Sequence, residues 1–205
     1  MVSPFPIPGG RVQHAYREMH LAANGTAEQQ QALGNHELLP HPWEPATCLD
    51  PELRHQLWLW LDEVVIWLNH EYTWDLSGLI PGCWPSHPHL IHEIAVIADQ
   101  RRRAGLAKNS DALEEWHRYC LPAFSDRMRN RIRAHCEDKH GRWPGKPRHS
   151  EHLSQDATEK REDAFARDVD ALQAAQRGQA LGQPLPRPRL VEVDLESGEI
   201  HGHDE

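Results

Sequence analysis

No stretch of this chain is apolar for long enough to cross a membrane. The longest candidate, Leu57 to Leu68, is broken by Asp62 and Glu63, whereas a spanning helix needs about 20 consecutive apolar residues. The first ten residues hold Pro4, Pro6 and Pro8 and no basic side chain, so they match neither the charged nor the apolar part of a secretory signal. A cytoplasmic chain without a membrane partner is the expectation. Cysteine is scarce, at four residues: Cys48, Cys83, Cys120 and Cys136. In a reducing compartment these are free thiols or metal ligands and not a disulfide framework. G-x-S-x-G, the phosphate-cradling P-loop and G-x-G-x-x-G are all missing, which removes the motif-based hydrolase and nucleotide-binding readings. The hydrophobic share is only 39%, against about 45–50% for an ordinary globular chain. Any stable core must therefore be concentrated in part of the sequence.

Tryptophan marks where. All eight tryptophans fall from Trp43 to Trp143. Asp50-Pro51 opens a helix, since Asp accepts a hydrogen bond at the N-cap and Pro loses nothing at the first helical position. From there Leu53, Leu57, Leu61, Val64, Val65, Leu68 and Tyr72 recur on one face, widened by Trp58 and Trp67. After a Gly/Pro-rich loop over 75–86, Ser86 is the expected cap of a second helix over 87–103. Its buried face is Leu90, Ile91, Ile94, Ala95 and Ala98, and Arg101, Arg102 and Arg103 suit its C-terminal dipole. A third helical stretch carries Trp116, Cys120, Phe124, Met128, Ile132 and Cys136 at four-residue spacing, with Pro122 predicting a kink or a split into 111–121 and 122–137.

The flanks are weaker. Residues 1–11 read as a disordered or extended arm, followed by a short helix over 11–23 with Val12, Tyr16 and Met19 in register. A second short helix is capped by the Thr26/Gln29 box and closed by Gly34. Residues 150–177 read as a polar helix whose sizeable apolar residues are Phe165, Val169 and Leu172. Leu190 to Leu195 alternates at period two and resumes at Ile200, predicting a short β-hairpin over 190–201. The fold class is mainly α: a small helical bundle with a Pro-rich N-terminal arm and an acidic, partly disordered C-terminal extension. The boundaries are an arm with short helices over 1–49, a helical core over 50–140, and a linker, polar helix and tail over 141–205.

Candidate chemistry centres on one echo. Cys83-x3-His87 is repeated by Cys136-x3-His140. Two thiols and two imidazoles suit a structural zinc ion in a reducing compartment, although neither half has the commoner C-x2-C spacing; the alternative is a buried thiol beside surface histidines in a chain with 16 of them. A second candidate metal set is His89, His92 and Glu93, on one helical face and able to leave an open position for hydrolytic chemistry, though not in the H-E-x-x-H order. Glu114, Glu115 and His117 read as the first turn of a capped helix, its acids suiting the positive dipole end, with acid/base catalysis as the alternative.

Charge is unevenly spread over the net −9. Residues 127–148 carry 8 Lys/Arg against 2 Asp/Glu, a local +6, while 1–126 carry 8 against 16 and 149–205 carry 6 against 13. Arg127, Arg129, Arg131, Arg133, Lys139, Arg142, Lys146 and Arg148, with Trp143 for stacking, are the candidate nucleic-acid contacts. The alternate spacing of the first four scatters them around a helix, so solvation or pairing with acidic neighbours competes with that reading.

The order Tyr72-Thr-Trp74, Cys83-Trp84, His87-Pro88, Leu113-Glu-Glu-Trp-His-Arg-Tyr-Cys-Leu-Pro122 and Cys136 resembles a domain of unknown function found in actinobacterial plasmid, integrative-element and phage proteins. The resemblance covers about residues 53–136. It departs where Trp84 is followed by Pro85 and Ser86 instead of a second tryptophan, and where no tryptophan falls between Trp84 and Trp116. It implies a mobile-element setting and no established reaction, and it adds interest to Cys83, His87 and Cys136. The leading expectation is a non-enzymatic helical accessory protein that acts through a protein partner. A zinc-stabilised nucleic-acid module and a metal-dependent hydrolase are the alternatives.

Overall fold

Asp50 starts the central helix as its side chain predicts. Its Oδ1 accepts the Leu53 amide at 2.7 Å with Pro51 in the first turn, and the helix runs over Pro51–Tyr72 (α3). Leu53, Leu57, Leu61, Val64, Val65, Trp67 and Leu68 are buried, each contributing roughly 1.5–3 kcal/mol before conformational entropy is charged. Trp60, off the expected stripe, is only 1% exposed, while Tyr72, expected on the stripe, is 39% exposed at the helix end. The apolar face is therefore wider than one stripe. This computed structural model describes residues 2–132, 136, 140–180, 192–193 and 200–201; Arg133, Lys139 and the remainder of the 181–205 tail lie outside the described residues.

Two compact units divide the chain, Met1–Gly141 and Arg142–Glu205. In the first, helices α1 (Gly10–Asn24) and α2 (Ala27–Leu33) precede α3, and α4 (Pro88–Gly105) follows it. Thr26 and Gln29 exchange both bonds of a capping box, and Gly34 takes a positive φ of 72° where α2 ends. Helix α4 buries Leu90, Ile94, Ala95, Ile97 and Ala98, with Ile91 only partly covered.

The N-terminal arm is not separate from the core. Indole N–H groups of Trp60 and Trp67 donate to the carbonyls of Pro6 (3.0 Å) and Ser3 (2.9 Å). Phe5 packs edge-on against both rings at 6.4 and 5.1 Å. Prolines keep this segment extended, so its carbonyls are free to accept, and the two buried indoles need acceptors. The expected boundary after residue 49 does not separate two bodies, because arm, short helices and core share one unit.

Pro122 does not break the third helix. The chain runs from α5 (Asp111–Glu115) through a wide π-type turn over Trp116–Cys120 into α6 (Leu121–Ile132), with the Leu121 amide bonded to the Trp116 carbonyl. Proline has no amide hydrogen and crowds the carbonyl a turn back; the wider turn just ahead of it absorbs both defects. The same turn seats Trp116 in the core, where its indole N–H donates to the Ile97 carbonyl at 3.3 Å.

In the second unit, the expected single helix over 150–177 is two: α7 (Lys146–His152) and α8 (Gln155–Ala180). Ser154 interrupts it, because its Oγ accepts the Ala157 amide as an N-cap does. Helix α8 runs on past the expected end at 177, through Gly178 to Ala180. Phe165, Val169 and Leu172 stay exposed. Glu192–Val193 (β1) and Ile200–His201 (β2) form an antiparallel ladder, Glu192 opposite His201 and Val193 opposite Ile200, within the span expected of the hairpin. No helix among the described residues is long and apolar enough to cross a membrane.

Candidate metal centre

The loop between α3 and α4 is fastened to α3 at two places. Asn69 grips Ile80 twice: its Nδ2 donates to the Ile80 carbonyl at 3.0 Å and its Oδ1 accepts the Ile80 amide at 2.9 Å. Trp84, buried, donates its indole N–H to Asp62 Oδ1 at 3.2 Å and packs against Trp58 at 5.5 Å. Between and beyond these anchors the chain makes a tight 3₁₀ turn over Trp84–Ser86, with the Ser86 amide on the Cys83 carbonyl at 2.9 Å and the His87 amide on the Trp84 carbonyl at 3.0 Å. That turn folds residue 87 back beside residue 83. Asn69→Ala should cost about 1–3 kcal/mol, because two backbone groups in a part-buried loop lose their partner; denaturant unfolding of the variant measures it.

The N-cap of α4 is His87 and not Ser86. Pro88 occupies the first helical position, so the residue ahead of it takes extended backbone and becomes the cap. His87 makes no side-chain cap bond. Its ring faces sulfur instead: Nε2 lies 3.4 Å from Cys83 Sγ and 3.3 Å from Cys136 Sγ. The ring of His140 stands 5.0 Å from that of His87, centroid to centroid. Cys83, His87, Cys136 and His140 each offer one donor atom, and all four atoms lie within 4.8 Å of one another.

These distances fit a tetrahedral ion. With Zn–S about 2.3 Å and Zn–N about 2.0–2.1 Å, the S···N edge of the tetrahedron is about 3.5 Å, close to the two contacts seen. The chemistry of the donors agrees. Two soft sulfurs with two imidazoles suit zinc, and four protein donors close its shell. Burial, and next the neighbouring Cys136 thiol, push the Cys83 thiol up; a divalent cation between them is what relieves that repulsion when both become thiolates. Burial, then His140 and His89, hold His87 below the usual imidazole range, in the neutral form that ligates metals.

The other candidate set is not assembled. Glu93 is occupied: Arg127 donates to both its carboxylate oxygens, at 2.7–3.0 Å, and Arg131 adds a bond at 2.8 Å. That clamp, Arg127 first, holds the Glu93 carboxyl below the usual carboxylate range against the opposing effect of burial. His92 is exposed, and His89 is half-buried with its Nε2 covered and unpartnered. The quartet is the one such group of three or more His, Cys, Asp or Glu donors among the described residues.

Of the basic candidates, three are engaged in ion pairs within the first unit. Arg127 and Arg131 pair with Glu93, and Arg129 reaches Asp75 at 3.4 Å. Arg142 and Trp143 belong to the second unit, where Trp143 is exposed beside His149 at 5.0 Å. Of the remaining thiols, Cys48 is buried and Cys120 half-buried, neither in the quartet.

Sequence reasoning gave no anchoring role to the residues that fasten the loop carrying Cys83 and His87: Asn69 and Asp62, with Trp84 named only as part of a motif. Asn69 sits in the last turns of a tryptophan-rich helix and carries no motif of its own. Comparison with protein-family models, with curated proteins and with solved structures returned no match, so the reading of this centre rests on its own geometry.

Proposed function

We propose that this chain is a non-enzymatic helical interaction protein whose first unit is locked by one structural zinc ion on Cys83, His87, Cys136 and His140. The observation that carries the reading is the closed donor set. Four protein side chains converge within 4.8 Å, which fills a tetrahedral shell and leaves no position for a substrate; catalytic zinc sites keep one open. Zinc here supplies cross-linking: it ties the loop ahead of α4 to the chain beyond α6. The proposed setting in a phage, plasmid or related mobile element rests on the resemblance over residues 53–136. Action through a protein partner accords with a second unit whose long helix leaves Phe165, Val169 and Leu172 exposed.

Two measurements test the two halves of this reading. Cobalt(II) added to metal-free protein should give the strong visible bands and thiolate charge-transfer absorption of a tetrahedral S2N2 site, saturating at one equivalent; weak octahedral bands would remove the metal assignment. The full chain, purified from its native host under native conditions, should co-elute stoichiometrically with another protein. Elution alone, together with an unchanged phenotype on deletion of residues 150–205, would contradict the interaction role.

A further inference from the structure

A groove of about 1510 Å³ runs along the first unit, away from the quartet's residues and walled by the N-terminal arm, α1, Trp43 and the C-terminal half of α4. It is larger than the roughly 300–1,000 Å³ of pockets that enclose a small molecule. Phe5, Tyr16 and Trp43 give it apolar walls. Its charge runs against the acidic protein around it: Arg17, Arg101, Arg102 and Arg103 line it with Asp99 as the one acid. Asp99 is already taken by Arg102 at 2.9 Å, whose guanidinium also lies 3.5 Å from the centre of the Tyr16 ring.

Arg101 decides what the groove is suited to hold. Its guanidinium stands 5.2 Å from the Phe5 ring, 5.6 Å from Trp67 and 5.7 Å from Trp116. Aromatic faces stabilise the cation yet accept nothing from its in-plane N–H groups. The Nε of Arg101 is buried without an acceptor, and no carboxylate among the described residues pairs with it. A half-buried, aromatic-caged guanidinium that makes no ion pair among the described residues presents its terminal N–H groups as a ready fork for a carboxylate.

We infer that this groove binds an extended peptide segment of a partner protein in which acidic and aliphatic residues alternate. A carboxylate is held by Arg101, and the aliphatic side chains lie against Phe5, Tyr16 and Trp43. The inference rests on the interaction role proposed above and names its surface and the chemistry of its partner.

The test uses the full zinc-loaded chain and a fluorescein-labelled peptide, acetyl-Leu-Glu-Val-Asp-Leu-Glu-Ile-amide, against a twin carrying Gln and Asn in place of its acids. Fluorescence polarisation should show micromolar binding of the acidic peptide, weakened about tenfold or more in the neutral twin. Arg101→Gln should weaken the acidic peptide about tenfold, and Arg103→Gln, at an exposed position that tolerates substitution, several-fold. Absence of binding, equal binding of the two peptides, or unchanged affinity in Arg103→Gln and in a folded Arg101→Gln would overturn the assignment. Competition by octanoate as tight as the peptide would overturn it too, in favour of a small-carboxylate site. Zinc content is read on the same samples. A peptide that fails while a host protein co-elutes removes this groove alone, whereas a chain with no partner in either assay removes the interaction role itself.

Discussion

Metal-free protein should unfold roughly 10 °C below the zinc-loaded form in a thermal scan. The two ligand pairs are about 50 residues apart, as the separation of 49 between His87 and Cys136 shows. A cross-link closing a loop of about 50 residues removes on the order of 4 kcal/mol of chain entropy from the unfolded state. For a chain of this size each kcal/mol moves the midpoint by about 2–4 °C. Cys136→Ser in excess zinc should fall to the midpoint of the stripped wild type. Cys120→Ser, at a half-buried thiol outside the quartet, should stay near the loaded value. The comparison separates the loss of a ligand from the loss of a packed sulfur, since both variants remove one thiol from the same stretch of chain.

Trp60→Ala should cost about 3–5 kcal/mol, the range for truncating a buried tryptophan. The ring is 1% exposed, lies edge-on to Phe5 and Tyr16, and gives its N–H to the Pro6 carbonyl. Its removal opens a cavity and strips the arm of one of its two indole anchors, so cleavage within the first ten residues by a nonspecific protease should accelerate as well. Trp74→Ala, at a ring that is fully exposed, should lie within about 0.5 kcal/mol of wild type. A Trp60→Ala chain as stable as Trp74→Ala would show that the core is not built around α3.

Much of this fold was legible because local chemistry and tertiary demand agree. Asp50-Pro51 reads as a helix start and is one; the Thr26/Gln29 box closes as its spacing requires. Where they part, the structure differs for identifiable reasons. The rule that made Asp50 the cap before Pro51 applies equally to His87 before Pro88, and a conventional capping residue at Ser86 masked it. The four-residue rhythm from Trp116 to Cys136 hid a π turn, because periodicity cannot register one extra residue in a turn. Trp60 fell off the stripe because α3 is buried over more than one face.

The quartet was legible as residues and not as a place. Two Cys-x3-His words name four donors, but their meeting depends on Asn69 clamping Ile80 and on Trp84 reaching Asp62. Those are contacts between distant segments with no spacing rule to announce them. The alternative set failed for a similar reason: the arginines that engage Glu93 lie 34 and 38 residues further along the chain.

The most direct measurement is the metal content of the purified chain. Elemental analysis should find one zinc per chain in the wild type and in Cys120→Ser, and essentially none in Cys136→Ser or His87→Ala. A wild-type protein that carries no zinc and takes up none from solution, or a Cys136→Ser variant that keeps its full equivalent, would contradict the account.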